Sequence, residues 1–270
     1  GCSTNRRPPS MELTSKGKCR TNGVTLWSGP SRINSQPIAV VATGLKNFSQ
    51  NSKTGGVIQT YIFPVGLKPT EAVKVGLDVA NCGGCIHRGN KTTKRTCYVN
   101  LGQGPNSVYK AYHNGSYPAV DWSLFDLVAR GRVGRLGTWG DPGSTPLDIW
   151  DNFTQPLKGW LGYTHQSANP NLRNVLKYCQ VSCDSLEDAI NARQADLGSF
   201  RVIGKDSPPL QSWETACPAS AESGKILTCE QCLKCDGISG NHIAIEAHGS
   251  TGLHVQESNR RPLQLTQLTF

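Results

Sequence analysis

The chain has 270 residues, 37% of them hydrophobic and 17% charged, with a formal net charge of +9 and a pI near 9.1. That length buries a sizeable core and suits one large domain or two small ones, while no apolar run reaches the roughly eighteen residues a membrane span needs. The basic balance favours a polyanionic partner, nucleic acid or a nucleotide-like substrate, although the positive residues are spread along the chain as they are in many soluble proteins.

Residues 1–50 are polar and rich in Gly, Pro and Ser, with IAVVATG (38–44) as their strand signal. They read as a loop-rich N-terminal extension of a main domain over 51–250, followed by a tail over 251–270 that can add one short strand. Within the main domain, β-branched and aromatic VIQTYIF (57–63) predicts a strand. NSVYKAYHNG (106–115) predicts a helix stopped by Asn-Gly, and DWSLFDLVAR (121–130) an amphipathic helix capped by Asp121. RLGTW (135–139) predicts a strand, PLDIWDNF (146–153) a helix with proline in its first turn, and WLGYT (160–164) another strand. After a helical turn at NLRNVL (171–176) come strand YCQVS (178–182), a helix over 184–198 capped by Asp184 or Ser185 and ended by Gly198, and strands FRVIG (200–204) and HIAIEAH (242–248).

Strands alternating with helices imply βαβ units and a parallel sheet. The expected fold class is therefore α/β: a partial (β/α) barrel or an open parallel sheet, carrying Cys-rich metal-binding loops. In either form the ligand site lies at the carboxyl ends of the strands. Polar side chains follow those ends here: Gly140-Asp141, His165-Gln166, Asp184, Lys205 and His248. Asp141, His165, Gln166, Asp184 and His248 are candidate catalytic residues. Gly140 and Lys205 are candidate cofactor-binding residues, as is Arg135, which can orient Asp141 or hold an anion. Strand ends meet polar loops in any such fold, and Asp184 doubles as a helix cap.

Eleven cysteines, an odd number, sit in a long chain whose first residues, GCSTNRRPPS, carry no apolar leader core. The expectation is a reducing cytosol with thiols used for metal. Cys229-x₂-Cys232-x₂-Cys235, with Cys217-Pro218 upstream, is the sharpest pattern. Three cysteines on one tight loop reach three irons of a [4Fe–4S] cube, and a remote Cys-Pro supplies the fourth; zinc on the same four is the alternative. Cys82-x₂-Cys85-x₁₁-Cys97 offers three thiolates. On a second cluster this leaves one iron open to substrate or S-adenosylmethionine. On zinc it leaves a position for water, unless His87, Cys179 or Cys183 closes the site. No P-loop, Rossmann fingerprint, H-E-x-x-H or G-x-S-x-G occurs.

Several stretches together resemble a phage and prophage family typified by the gene 88 protein of mycobacteriophages: CYVNLGQGP, RLGTWGDPGSTP, GYTHQ, the block from YCQVSC to FRVI, and CPASAESGKILTCEQCLKCDG before IAIEAHG. The resemblance covers roughly residues 50–250 and implies an iron–sulfur protein in the host cytoplasm. It also implies a distant likeness to radical S-adenosylmethionine enzymes. Those place a C-x₃-C-x₂-C triad after their first strand and a Gly-Gly-Glu-like segment after the second, where this chain has Gly140-Asp141-Pro142. The eleven-residue gap before Cys97 departs from that triad. A metal-stapled module that binds nucleic acid during phage replication or regulation is the other expectation.

Overall fold

The computed structural model describes residues 10–48, 52–89, 93–224, 227–247 and 263–265. Strands β1 (Gly23–Pro30), β2 (Pro37–Thr43), β3 (Ile58–Pro64), β4 (Val133–Trp139) and β5 (Gly159–Leu161) form one sheet in that order. The pairs β1–β2 and β2–β3 are antiparallel, and β3–β4 and β4–β5 are parallel. A second sheet, parallel throughout, runs β6 (Tyr163–Thr164), β7 (Gln180–Cys183), β8 (Ser199–Ile203), β10 (His242–Glu246), β9 (Thr215–Ala216).

Only Gly162 separates β5 from β6. Its N–H donates to Cys235 O and its carbonyl accepts from Gln180 N, so one extended stretch feeds both sheets. A Cβ at Gly162 would stand 2.7 Å from Cys179 Sγ, which leaves no room there for a larger residue.

Helices α1 (Pro69–Val75), α2 (Val79–Cys82), α3 (Gly104–His113), α4 (Trp122–Ala129), α5 (Leu147–Thr154), α6 (Leu186–Gln194) and α7 (Cys229–Cys232) fill the connections. The first sheet is covered on both faces. Phe125, Ala129, Trp150 and Phe153 of α4 and α5 pack under Val40, Ala42 and Ile62, and Leu101 and Val108 pack over Val41, Tyr61 and Phe63. Two-sided burial explains why β2 reads as a continuous apolar run, IAVVA, without alternation. Ala189 and Ala192 of α6 cover Val181 in the second sheet, while Phe200, Val202, Ile243 and Ile245 cluster with Cys217, Cys229 and Cys235.

The α/β class is present, and the strands expected from β2 onward lie within one or two residues of their expected ends, except that WLGYT (160–164) is split at Gly162 into β5 and β6 of different sheets. The first sheet is mixed rather than parallel because β1 and β2 pair antiparallel. The extension holds more order than its composition announces. GVTLWSGP (23–30) is a strand, and both it and β2 belong to the same sheet as β3, so this sheet runs across residue 50. Helix α6 ends earlier than Gly198: Asp196, at φ 59°, takes the left-handed turn instead. Pro146 caps α5 from just outside its first turn. Of the tail, residues 263–265 pack on α6 rather than adding a strand: Leu263 N donates to Asp188 Oδ1 at 2.8 Å. Among the described residues no helix is long and apolar enough to cross a membrane.

A candidate metal and substrate cavity

A cavity of about 370 Å³ opens at the carboxyl ends of β4, β6, β7, β9 and β10. Both cysteine groups line it: Cys82, Cys85 and Cys97 on one side, Cys217, Cys229, Cys232 and Cys235 on the other. All seven are free of disulfides.

Local chemistry brings each group in. Cys82 ends α2, and Gly83, at φ 58°, turns the chain so that Cys85 follows at once. Cys97 is returned to this side by the backbone: Thr96 N and Cys97 N both donate to His87 O, at 3.1 and 2.9 Å. Arg95 clamps the return by donating to Cys97 O and Val99 O. Gly89, at φ 73°, lets the backbone pass; a Cβ there would stand 2.7 Å from Arg95 N. In the other group, Cys229 and Cys232 are carried on α7, fixed by its Thr228–Gln231 capping box, while Cys217 follows β9 and Cys235 lies just past α7. Cys229 N donates to Lys53 O, Glu230 Oε2 accepts from Gly56 N, and Cys235 O accepts from Gly162 N. The loop is thus pinned to the entry of β3 and to the junction of the two sheets.

Burial holds the Cys82 thiol well above its ordinary pKa, and the carboxylates of Asp78 and Asp141, with any charge on Cys85 or Cys97, push it the same way. Burial also raises Cys97 against the pull of Arg95, and Cys229 against Arg135 and Lys53. Burial raises Cys235 too, against its hydrogen bond with Tyr163. Such thiols stay neutral without metal, and a metal must displace their protons to bind.

The polar rim residues converge beside Cys85. Asp141 Oδ1 accepts from Gly143 N and Thr164 Oγ1, each at 2.8 Å, and Oδ2 from His165 N at 2.7 Å and Gln166 Nε2 at 3.4 Å. Its carboxylate is spent on positioning the loop after β6. Gly140, at φ 93°, makes the turn; a Cβ there would stand 2.6 Å from Ile62 Cβ. His165 Nε2 lies 3.0 Å from Asp184 Oδ1 and 3.8 Å from Cys85 Sγ. His87 Nε2 lies 3.3 Å from the same Asp184 oxygen. Burial opposes the charged form of both His165 and Asp184. Their mutual attraction overcomes it, so that His165, aided by Cys85, titrates well above its usual range and Asp184, aided by His87, below its own.

Arg135 reaches the cavity from β4, between the two groups, and donates to Tyr98 Oη. Burial opposes its charge, but Tyr98, Tyr163 and Cys229 keep the guanidinium firmly protonated. Its Nε is buried with no hydrogen-bond partner among the described residues. Lys205 is exposed in the turn after β8 and does not line the cavity, and His248 lies outside the described residues. Cys183 lines the cavity, while Cys179 is buried beneath Gly162 and Gly237. His87, Thr96 and Thr164 have structural parts that the spacing patterns did not single out. His87 was visible only as a neighbour of the triad, and no motif pairs it with Asp184. No family model, curated protein or solved structure matches this chain.

Proposed function

We propose that the protein is an iron–sulfur enzyme that binds its substrate between two cysteine-ligated clusters facing one cavity. The observation that carries this reading is the convergence of Cys82, Cys85 and Cys97 with Cys217, Cys229, Cys232 and Cys235, distant in sequence, on a single cavity at the strand ends. The parallel strands β3, β4 and β5, continued through residues 159–164 into the second sheet, are then one curved array, a partial barrel with the site at its mouth and antiparallel β1 and β2 on its flank.

The donor set fits iron–sulfur better than zinc. What supports iron–sulfur is the spacing: Cys229-x₂-Cys232-x₂-Cys235 on one tight loop with Cys217-Pro218 upstream, where one zinc commonly takes two separated C-x₂-C pairs. A reduced cluster supplies electrons one at a time. The chain's own residues do the rest. Four cysteines close the site at 217–235, and three leave a ligand position open at 82–97. Phe200, Val202, Ile243 and Ile245 give the cavity an apolar wall that keeps water out. The unpartnered Arg135 Nε favours a substrate carrying a carboxylate or phosphate, in keeping with a nucleotide-like ligand. S-adenosylmethionine is one candidate for the open position. Asp141, with its oxygens already engaged, serves as a positioning residue for it rather than as a ligand.

The test is electron paramagnetic resonance of the anaerobically purified, dithionite-reduced protein, with and without S-adenosylmethionine. The expected result is two cluster signals, of which only the one lost in Cys97→Ser shifts on addition. A single signal, or none, contradicts the two-cluster reading. Two signals that both ignore S-adenosylmethionine remove it as the ligand.

A further inference from the structure

We infer that His87, His165 and Asp184 form a mononuclear site for a divalent first-row transition metal, bordering Cys85 but built without a cysteine ligand. Among the described residues these three are the set whose donor atoms all lie within 4.8 Å of one another. The spacing is that of ligands around one ion. Donors held about 2.0–2.1 Å from a metal at tetrahedral or octahedral angles stand about 2.9–3.4 Å apart. Asp184 Oδ1 lies 3.0 Å from His165 Nε2 and 3.3 Å from His87 Nε2.

The donors come from three separate parts of the fold. His87 sits on the 3-10 turn Ile86–Arg88, His165 follows β6, and Asp184 follows β7. Each is held from behind. His87 Nδ1 lies 2.8 Å from Thr96 Oγ1, the outer contact that fixes a ligating imidazole with its Nε2 toward the metal. His165 is fixed through its backbone N–H on Asp141, and Asp184 N donates to Asp188 Oδ2. The side chains are 17%, 18% and 2% exposed, so the site is sheltered but reached from the cavity. Two imidazoles and one carboxylate with open positions is the donor set of non-haem Fe²⁺ and of catalytic Zn²⁺. An ion here would border Cys85, whose sulfur lies 3.8 Å from His165 Nε2, and would offer a Lewis-acid position to an anionic substrate in the same cavity.

This inference does not need the clusters. The probe is Co²⁺, titrated anaerobically into protein reconstituted with iron and sulfide and freed of loose metal, with visible d–d absorption as readout. The expected result is one equivalent bound without a sulfur-to-cobalt charge-transfer band. Affinity should fall at least tenfold in His87→Gln and Asp184→Asn, and about tenfold in Thr96→Val, with labile sulfide unchanged in all three. His87→Gln guards against a folding defect, because that side chain sits at the cavity edge. No cobalt uptake by the wild type, or uptake equal in His87→Gln and Asp184→Asn, overturns the site. A thiolate charge-transfer band would put the ion on cysteine and overturn it as well. Failure of the two-cluster reading shows instead in the labile sulfide count, assayed separately on the same samples.

Discussion

Gln166 lies directly over Gly83: a Cβ at Gly83 would stand 2.4 Å from Gln166 Nε2. The Asn-Cys-Gly-Gly-Cys turn and the Gly-Tyr-Thr-His-Gln segment, some eighty residues apart, are therefore built as one unit. Gly83→Ala places a side chain at φ 58° as well as against that amide, and should cost about 2 kcal/mol. It should also lower metal content at the Cys82 group. In a Gln166→Ala background the same change should cost measurably less, because the clash is gone while the strain remains. Chemical denaturation of the four proteins reads this coupling, and strictly additive costs would contradict the contact.

Arg201 and Glu214 form a buried ion pair, both 0% exposed, with two guanidinium–carboxylate bonds of 2.7 and 2.6 Å. Arg201 also donates to Pro208 O and Pro209 O, which fastens the 204–214 segment to β8. Arg201→Met leaves the Glu214 charge buried alone and should destabilise the protein by about 3–5 kcal/mol. A thermal shift of only a degree or so would mean that water reaches Glu214.

Arg135→Met tests the anion-binding part of the proposed function. The guanidinium sits at the cavity wall and the substitution keeps its volume, so stability should change little. Affinity for an anionic ligand should drop by about 1.5–3 kcal/mol, the size of a hydrogen bond to a charged group. Equal binding of nucleotide-like ligands by both proteins, followed by calorimetry, would show that Arg135 serves only Tyr98.

The two cysteine groups should fail in different ways. Under the proposed reading, Cys232→Ser removes one of four ligands from a closed site that straps 53–56 to the sheet junction, so metal and solubility should be lost together. Cys97→Ser touches a site held from behind by the His87 and Arg95 bonds. If the group holds the proposed open-site cluster, this variant should lose labile sulfide while keeping the fold, read by far-ultraviolet circular dichroism. Full metal content in purified Cys232→Ser would remove that residue from the ligand set.

Much of this organisation was legible in the sequence. Apolar periodicity located β3, α3, α4 and β4, because each buries a regular face, and Asp121 caps α4 as its position suggests, accepting from Ser123 N and Leu124 N. Strand β1 was not legible, since Ser28, Gly29 and Pro30 mask an edge strand whose identity comes from pairing with β2. The rim residues Asp141, His165, Gln166 and Asp184 could be named because each follows a strand. Their mutual bonds could not, because they depend on how β6 and β7 are set side by side. His87 could be named as a possible fourth ligand beside the Cys82 group, but its contact with Asp184 could not, because that partner lies 97 residues on and no local spacing records the distance. Lys205 follows a strand too, but its turn points to solvent.

The most direct measurement is iron and acid-labile sulfide per chain in protein purified and handled without air. Two [4Fe–4S] clusters predict about eight labile sulfides per chain with matching cluster iron, and about four in Cys97→Ser. A colourless protein with stoichiometric zinc and no labile sulfide would contradict the central claim.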